Sequence, residues 1–245
     1  MRCLVVSDIH ANLAALDAVI YDAGHFELVW CLGDIVGYGP DPNECIARLR
    51  MFPHISLSGN HDWAALGKID LRGFNADARA SAEWTQSQLT PASRAYLQAL
   101  PPTRVEADYT MAHGSPRQPI WEYILDPMAA GHNFAVFNTP VCLVGHTHVP
   151  ALYFMPDGTT NARHCEMRNP HTGAAVQLNS GRWIINPGSV GQPRDGDSDA
   201  SYALLDLNDN TWELHRAHYS IHETQRRMRE RDLPVRLIER LAQGH

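Results

Sequence analysis

The sequence predicts an α/β fold with a polar site at the carboxyl ends of its strands, for two reasons. Segments of helical composition alternate with short apolar runs along the first part of the chain. Five of these runs end in side chains that bind metal ions; they cover 1–6, 28–32, 54–58, 109–112 and 141–144. In an open sheet, ligands collect beyond the carboxyl ends of the strands. Five parallel or mixed strands would therefore bring these side chains to one place.

Three strands and two helices are predicted in the first of these segments. The strands cover 1–6, about 27–32 and a third stretch that ends at Ser58. The helices cover 12–22 and 42–51. Asn12 and Asp41 are suited to cap these helices because their side chains accept hydrogen bonds from a first turn, and Pro53 ends the second helix.

Residues 63–102 interrupt this rhythm and are predicted to form a helical insert. One helix is expected over 75–89. A second runs from Thr90 to Leu100, because threonine caps a helix and the following proline suits its first position. The insert lies between two polar motifs, so we expect it to form one wall of the cleft.

The remaining chain is predicted to be richer in strands. Two strands around 104–112, a helix over about 126–137 and a strand over 141–144 come first. Further strands are expected at 151–155, 174–178, 182–185, 202–207 and 211–216. Residues 156–173 form a polar excursion, and 208–210 have the composition of a hairpin turn. Helices are expected over 221–231 and 234–242. Because no repeat or obvious linker is present, the prediction is one domain over 1–245.

Composition and charge exclude several classes of protein. The formal net charge of -7 argues against stable binding to nucleic acid, which needs a basic face. No apolar stretch approaches the roughly 18 residues of a membrane span. Asp8, a predicted ligand, stands too close to residue 1 for a cleaved signal peptide. The five cysteines are odd in number and form no CxxC pair, which suits a reducing compartment. We expect a cytoplasmic protein, and the sequence leaves open whether it forms a homo-oligomer.

The polar ends of the apolar runs supply seven candidate metal ligands: Asp8, His10, Asp34, Asn60, His113, His146 and His148. Seven donors exceed the four of a closed zinc site and suit two metal ions. Asp34 offers two oxygens and is the natural bridge between them. Oxygen and nitrogen donors without thiolate favour manganese, iron, zinc or nickel over calcium or magnesium, and manganese is our first choice. The pattern predicts a dinuclear metal hydrolase.

Four further residues are candidates for contact with a substrate. His61, beside the ligand Asn60, would stabilise developing charge or protonate a leaving oxygen. Arg117 and Arg194 are candidates for contact with a substrate phosphate, although a solvated loop arginine is the commoner role. Tyr38 would stack on a nucleobase, unless it serves only in packing.

The motif blocks, in this order, resemble the calcineurin-like metallophosphoesterase superfamily. The blocks are Asp8-Ile9-His10, Gly33-Asp34, Gly59-Asn60-His61-Asp62, His113 and Gly145-His146-Thr147-His148, and the resemblance continues through Asn186-Pro187-Gly188-Ser189-Val190. It implies a two-sheet β-sandwich flanked by helices, hydrolysis of a phosphate ester by a metal-bridging hydroxide, and His61 as the catalytic histidine. It also implies one ion on Asp8, His10, Asp34 and His148, and another on Asp34, Asn60, His113 and His146.

One departure from the family pattern bears on the substrate. Phosphatases of this superfamily carry Asp-Arg-Gly shortly after the bridging aspartate, where this chain has Gly37-Tyr38-Gly39. The arginine that would grip a phosphomonoester is missing there, so the chain looks more like the compact bacterial phosphodiesterase branch. A small or nucleotide-like phosphate ester is the expected substrate. The missing aspartate leaves Asp41 or Asp62 to orient His61. A phosphomonoesterase of the protein phosphatase or dinucleoside polyphosphate hydrolase type, a nuclease and a non-catalytic binding scaffold are the alternatives.

Overall fold

A computed structural model describes residues 1–245 and divides the strands between two sheets. The strands are β1 (Arg2–Val6), β2 (Leu28–Cys31), β3 (His54–Ser56), β4 (Thr103–Glu106), β5 (Tyr109–Ala112), β6 (Val141–Leu143), β7 (Ala151–Met155), β8 (Glu166–Arg168), β9 (Ala175–Gln177), β10 (Arg182–Asn186), β11 (Ala200–Asp206) and β12 (Thr211–Ala217). The first sheet has the order β3-β2-β1-β11-β12-β9, and the second has the order β4-β5-β6-β10-β7-β8. The two-sheet sandwich is confirmed.

The five strands that lead to ligands do not form one open sheet, as the strand pattern alone suggested. β1, β2 and β3 are parallel neighbours in the first sheet, whereas β5 and β6 are parallel neighbours in the second. Their carboxyl ends still meet, because the two sheets pack face to face with these edges on the same side of the sandwich. The ligands therefore come from both sheets.

The side chains of β1 point alternately into two different cores, which shows how the sheets pack. Cys3 and Val5 face the second sheet and share a core with Trp183 of β10. Leu4 and Val6 point the other way, into a core that includes the first helix. A strand that is buried on both faces reads as an uninterrupted apolar run, which is why residues 3–6 carry no polar side chain.

The helices cover the outer faces of the sandwich. They are α1 (Leu13–Asp22), α2 (Pro42–Leu49), α3 (Asn60–Ala65), α4 (Ala76–Gln88), α5 (Pro91–Ala99), α6 (Pro127–Asn133), α7 (Ile221–Arg229) and α8 (Val235–Arg240), with 3₁₀ turns at Leu71–Gly73 and Ala162–His164. Asn12 caps α1 by accepting a hydrogen bond from the Ala15 amide at 3.2 Å. None of the helices combines the length and the apolar composition needed to cross a bilayer. All five cysteines are buried and free.

Two elements differ from the sequence prediction. Residues 60–65 form α3, where no helix was expected; the Asp62 carboxylate accepts the Gly59 amide at 2.9 Å and closes its first turn. The polar excursion at 156–173 contains β8, whose side chains are all exposed. β8 pairs with β7 at the edge of the second sheet, so tertiary pairing forms this strand without an apolar pattern.

The last two helices pack beside the insert. Leu237, Ile238 and Leu241 form a small core with Ala78 of α4 and with Tyr38. This core places the end of the chain close to the segment that follows Asp34. The predicted helical insert and the last two helices thus lie on the same side of the ligand-bearing edge.

Candidate metal centre

One cluster of donors combines the ends of β1 and β6. Asp8 and His10 follow β1, and His148 follows β6. The Nε2 atoms of His10 and His148 are 3.0 Å apart, and His148 Nε2 is 3.3 Å from Asp8 Oδ1. The three side chains are buried and lie close enough to share one ion. Both sheets contribute to this cluster.

A second cluster combines the ends of β2, β5 and β6. His113 Nε2 lies 3.3 Å from Asp34 Oδ2 and 3.1 Å from His146 Nδ1. Asn60, at the start of α3, places its Oδ1 3.2 Å from the same His113 nitrogen. Asp34 Oδ2 is also 3.8 Å from His10 Nε2, so this carboxylate lies between the clusters. The structure thus brings all seven predicted ligands together.

The backbone of the ligand loops is unusual. Five of the seven ligands have a left-handed backbone, with φ between 48° and 66°: Asp8, His10, Asp34, His146 and His148. Such conformations cost roughly 1 kcal/mol or more each and persist where the surroundings hold them. Two of the holding contacts join the first two loops, since the Asp8 amide donates to the Gly33 carbonyl at 3.0 Å and the His10 amide to the Asp34 carbonyl at 2.9 Å.

The donor set fits divalent cations. Asp8 Oδ1 and Asp34 Oδ2 are buried oxygens without any hydrogen-bond partner. The other oxygen of each carboxylate is occupied: Asp8 Oδ2 accepts the His146 amide at 3.0 Å, and Asp34 Oδ1 accepts the His61 amide at 2.8 Å. A buried carboxylate oxygen with no partner is costly unless a cation satisfies it. Donor atoms about 3.0–3.3 Å apart are also spaced to share an ion with bonds of about 2.0–2.2 Å.

Hydrogen bonds set the ring orientation of two ligands. His113 Nδ1 donates to the Leu32 carbonyl at 2.9 Å, and His148 Nδ1 donates to the Gln192 carbonyl at 2.7 Å. Each ring therefore keeps the lone pair of its Nε2 directed at the cluster. This is the usual way in which proteins fix the tautomer of a metal-binding histidine.

The charges of the site also favour a cation. Burial, together with the nearby His113, lowers the pKa of His146 to about 3. Burial likewise lowers the pKa of His10 well below its usual value, with a further contribution from His148. Burial alone would raise the pKa of Asp34, but the surrounding histidines outweigh it and hold that pKa well below its usual value. Neutral imidazoles beside ionised carboxylates are the forms that bind metals. His113 differs, because the effect of burial is outweighed by Asp34, which raises the pKa of His113 to about 9; its ring would release a proton when an ion binds.

The end of β10 and the segment that follows it hold the ligand loops in place by hydrogen bonds. Asn186 Nδ2 donates to the Gly145 carbonyl at 2.7 Å and to Thr147 Oγ1 at 3.0 Å. Ser189 Oγ donates to the Asp8 carbonyl at 2.8 Å. The Asn186–Gly191 segment therefore links the loops after β1 and β6 to each other.

His61 lies at the mouth of the site without a carboxylate partner. Its ring packs against Tyr38 at 4.3 Å and against His10 at 5.0 Å between centroids. The proposal that Asp41 or Asp62 orients it is wrong. Asp62 accepts the amides of Gly59 and Val36, at 2.9 and 3.1 Å, and Asp41 pairs with Arg227 and Arg231. Aromatic packing, together with the close approach of Gly37, fixes this ring.

A cleft of about 260 Å³ opens onto the second cluster. Its lining residues come from separate parts of the chain: Tyr38, Asn60, His61, Gly73, Phe74, Asn75, Ala78, Trp121, Tyr123 and His146. Tyr123 stacks on the His146 ring at 3.9 Å between centroids, so it packs on a predicted ligand. Phe74 and Asn75 were not predicted as site residues. Both belong to the predicted helical insert, but which residues of the insert line the cleft depends on how the whole chain packs.

The two predicted arginines have different surroundings. Arg117 pairs with Glu122, which also accepts from Ser115 and Asn133, so it is engaged in a local network. Arg194 forms no ion pair; its Nη2 donates to Gln192 Oε1 at 2.9 Å, and its Nε is buried without a partner. Its charge also acts on Tyr38, whose pKa is raised chiefly by burial and is moderated by this arginine. Of the two, only Arg194 is close to the metal centre.

Comparison with known proteins agrees with this geometry. A family model described as a calcineurin-like phosphoesterase superfamily domain matches residues 1–210. An uncharacterized protein of Methanocaldococcus jannaschii is 36% identical over 248 residues, a match that covers 98% of this chain and 97% of that protein.

Solved structures are similar over the full length. The crystal structure of a metallophosphoesterase from Sphaerobacter thermophilus has 47% identity and a TM-score of 0.91, covering 100% of this chain and 99% of that one. A protein from Pyrococcus horikoshii OT3 has 20% identity and a TM-score of 0.79, covering 100% and 98%. The second similarity concerns the fold alone.

Proposed function

The chain belongs to the calcineurin-like phosphoesterase superfamily, and we propose that it is a metal-dependent phosphodiesterase acting on a small, nucleotide-like phosphate ester. The observation that carries this proposal is the pair of donor clusters joined by Asp34. One carboxylate oxygen of Asp34 lies 3.8 Å from His10 Nε2 and 3.3 Å from His113 Nε2. A carboxylate in that position is suited to bridge two ions.

The two clusters would hold the metals. One ion is assigned to Asp8, His10, Asp34 and His148, and the other to Asp34, Asn60, His113 and His146. When bound, a pair of divalent ions lowers the pKa of a water molecule and polarises phosphoryl oxygens. Manganese is the proposed metal, because the donors are oxygen and nitrogen without thiolate. Iron, zinc and nickel are compatible with the same donors.

We propose that the side chains of His61 and Arg194 contact the substrate. The His61 ring lies beside His10, at the mouth of the site, and is free of hydrogen-bond partners that would compete with a substrate. Burial lowers the pKa of His61 to about 4, so its neutral ring is placed to donate a hydrogen bond to an oxygen of the ester as charge develops there. The unpaired Arg194 guanidinium is suited to hold a non-reacting phosphate oxygen.

The surroundings of Tyr38 support a diester over a monoester. A monoester dianion is best held by a bidentate arginine, and the segment after Asp34 instead places the Tyr38 ring 4.7 Å from His10. The cleft continues past Tyr38 along Phe74 and Trp121, which suits an organic group on the second ester oxygen. The buried free cysteines suit a reducing compartment, which supports a cytoplasmic location.

The test is hydrolysis of bis-p-nitrophenyl phosphate against p-nitrophenyl phosphate. The protein is first stripped with a chelator and then supplied with manganese, iron, zinc or nickel in turn. We expect activity to return with manganese and to favour the diester. Asp34→Asn should abolish it, whereas Asp108→Asn, the same change at an exposed site remote from the clusters, should not.

A preference for the monoester would contradict the proposed substrate class and favour a phosphatase. Failure to cleave either ester, with two metal ions bound and measured, would contradict catalysis and favour a binding scaffold of the same fold.

A further inference from the structure

A second cavity lies next to the cleft over the metal centre and has no role in the chemistry described above. It has a volume of about 400 Å³ and is formed by the first turn of α4, by α8 and by the residues that follow α8. Tyr38 and Asn75 line both this cavity and the cleft over the second cluster. A molecule in the cleft can therefore extend past Tyr38 into it.

Two arginines line this cavity and form no ion pair with a carboxylate side chain. Arg236 and Arg240 come from successive turns of α8. Neither pairs with a carboxylate, in contrast to Arg227 and Arg231, which both pair with Asp41. Arg240 donates its Nε to the backbone oxygen of His245, and its terminal nitrogens form no ion pair with a carboxylate side chain.

Arg194 adds positive charge beside the metal centre, since its backbone amide donates to the carbonyl of the predicted ligand His148 at 3.2 Å. Burial lowers the pKa of Arg240, and the nearness of Arg194 and then Arg236 lowers it further. The three guanidiniums are therefore close enough to repel one another. No carboxylate side chain forms an ion pair with these arginines, so binding of an anion between them would lower their mutual repulsion.

The cavity also contains two carboxylates, and one of them, Asp77, partly offsets the arginine charge, since it acts to raise the pKa of Arg240. Asp77 lies in the first turn of α4, where a helix favours negative charge, and Glu239 is on the exposed side of α8. Neither forms an ion pair with an arginine. The first amides of α4 have no intrahelical acceptors and add donors along the same wall.

We propose that Arg236 and Arg240 form a subsite for a second phosphate group of the substrate, reached from the metal centre past Tyr38 and Arg194. The inference rests on the proposed phosphodiesterase function and narrows its substrate class. The preferred substrate would be a nucleotide-like phosphodiester that carries an additional terminal phosphate. The metal centre would hold the ester that is cleaved, and α8 would hold the phosphate that is retained.

Two esters with the same leaving group test this proposal. They are thymidine 5′-(p-nitrophenyl phosphate) and the same ester with a 3′-phosphate. In the manganese-loaded protein, the 3′-phosphate should raise kcat/KM at least about tenfold, as expected for one charge-assisted contact. Arg236→Gln and Arg240→Gln should each remove most of that advantage. Arg229→Gln, the same change at an exposed residue of α7 outside the cavity, should retain it. No advantage in the unaltered protein, or an advantage kept by both cavity variants, would overturn the subsite.

A binding measurement separates this proposal from the proposed function. Inorganic pyrophosphate is titrated by calorimetry into chelator-treated, metal-free protein, so no catalysis is involved. We expect Arg240→Gln to weaken binding at least about tenfold relative to Arg229→Gln. Equal affinities for the two variants would overturn the subsite. If neither ester is cleaved, the phosphodiesterase function fails, and this titration still decides whether the arginines bind phosphate.

Discussion

Replacement of Asn186 by alanine should weaken both the fold and the metal centre. The Asn186 side chain is 3% exposed and makes three hydrogen bonds. Two of them hold the loop that carries His146 and His148. In the third, Asn186 Oδ1 accepts the Gly188 amide at 2.8 Å. The residues that supply these partners, Gly145, Thr147 and Gly188, are buried as well. The substitution therefore leaves buried polar groups unsatisfied in the loop after β6.

The size of the effect follows from these contacts. A typical hydrogen bond contributes about 0.5–1.5 kcal/mol, and buried partners left unpaired cost more, so the loss should be about 2–4 kcal/mol. For a chain of this length, that corresponds to a fall in Tm of about 5–15 °C. Loss of support behind metal-binding residues typically lowers metal affinity about 10- to 100-fold. Manganese affinity should fall by such a factor.

Calorimetry separates the two effects of this substitution. The Tm of metal-free protein reports the fold, and a titration with manganese at 25 °C reports the site. Asn138→Ala is the matched control, because Asn138 is exposed and its side chain makes no hydrogen bond; its Tm should change by less than about 2 °C. If Asn186→Ala changed Tm as little as the control and kept full metal affinity, the supporting role of this residue would be refuted.

Three further substitutions test the site. Asp34→Asn should lose both metal ions together, measured as metal content per chain; loss of one ion alone would contradict bridging. His61→Ala should retain two ions and lower kcat about 10²- to 10⁴-fold on bis-p-nitrophenyl phosphate, and unchanged kcat would remove its role. Gly191→Ala should destabilise the fold by about 1–3 kcal/mol or more in denaturant titration, because an added Cβ would lie 1.9 Å from the Ile9 carbonyl oxygen. Gly73→Ala, with no atom within 4 Å, is its control, and equal stability of the two variants would argue against that contact.

The ligand set can be predicted from sequence because each of its parts is local. A buried strand reads as an apolar run, and its ligands follow within five residues, as Asp8 and His10 follow β1 and His148 follows β6. The carboxyl ends of strands converge in α/β folds, so the convergence could be expected without knowing how the sheets divide. The division itself depends on strand pairing. In particular, β1 pairs with β11 across almost 200 residues of sequence, and no local pattern encodes that pairing.

Residues that act through distant contacts were harder to predict. Arg117 forms an ion pair with Glu122, which is only five residues away and can be seen in the sequence. Arg194 has no ion-pair partner, and this depends on the fold, which the sequence does not show. Arg236 and Arg240 were not predicted at all. Their place near the metal centre depends on α8 packing against Tyr38, and a charged helix at the end of a chain gives no sign of that contact.

The contribution of both sheets to each donor cluster has a consequence for the abundance of the protein. Ions that join the two halves of the sandwich act on the folding equilibrium by mass action, and a metal at 100 times its Kd would add about 2.7 kcal/mol for each site. A chain that has lost its ions would open more often along the edge where β1 and β6 meet and would expose that edge to proteases. Metal supply would then control how much of the protein survives, in addition to how fast each molecule turns over.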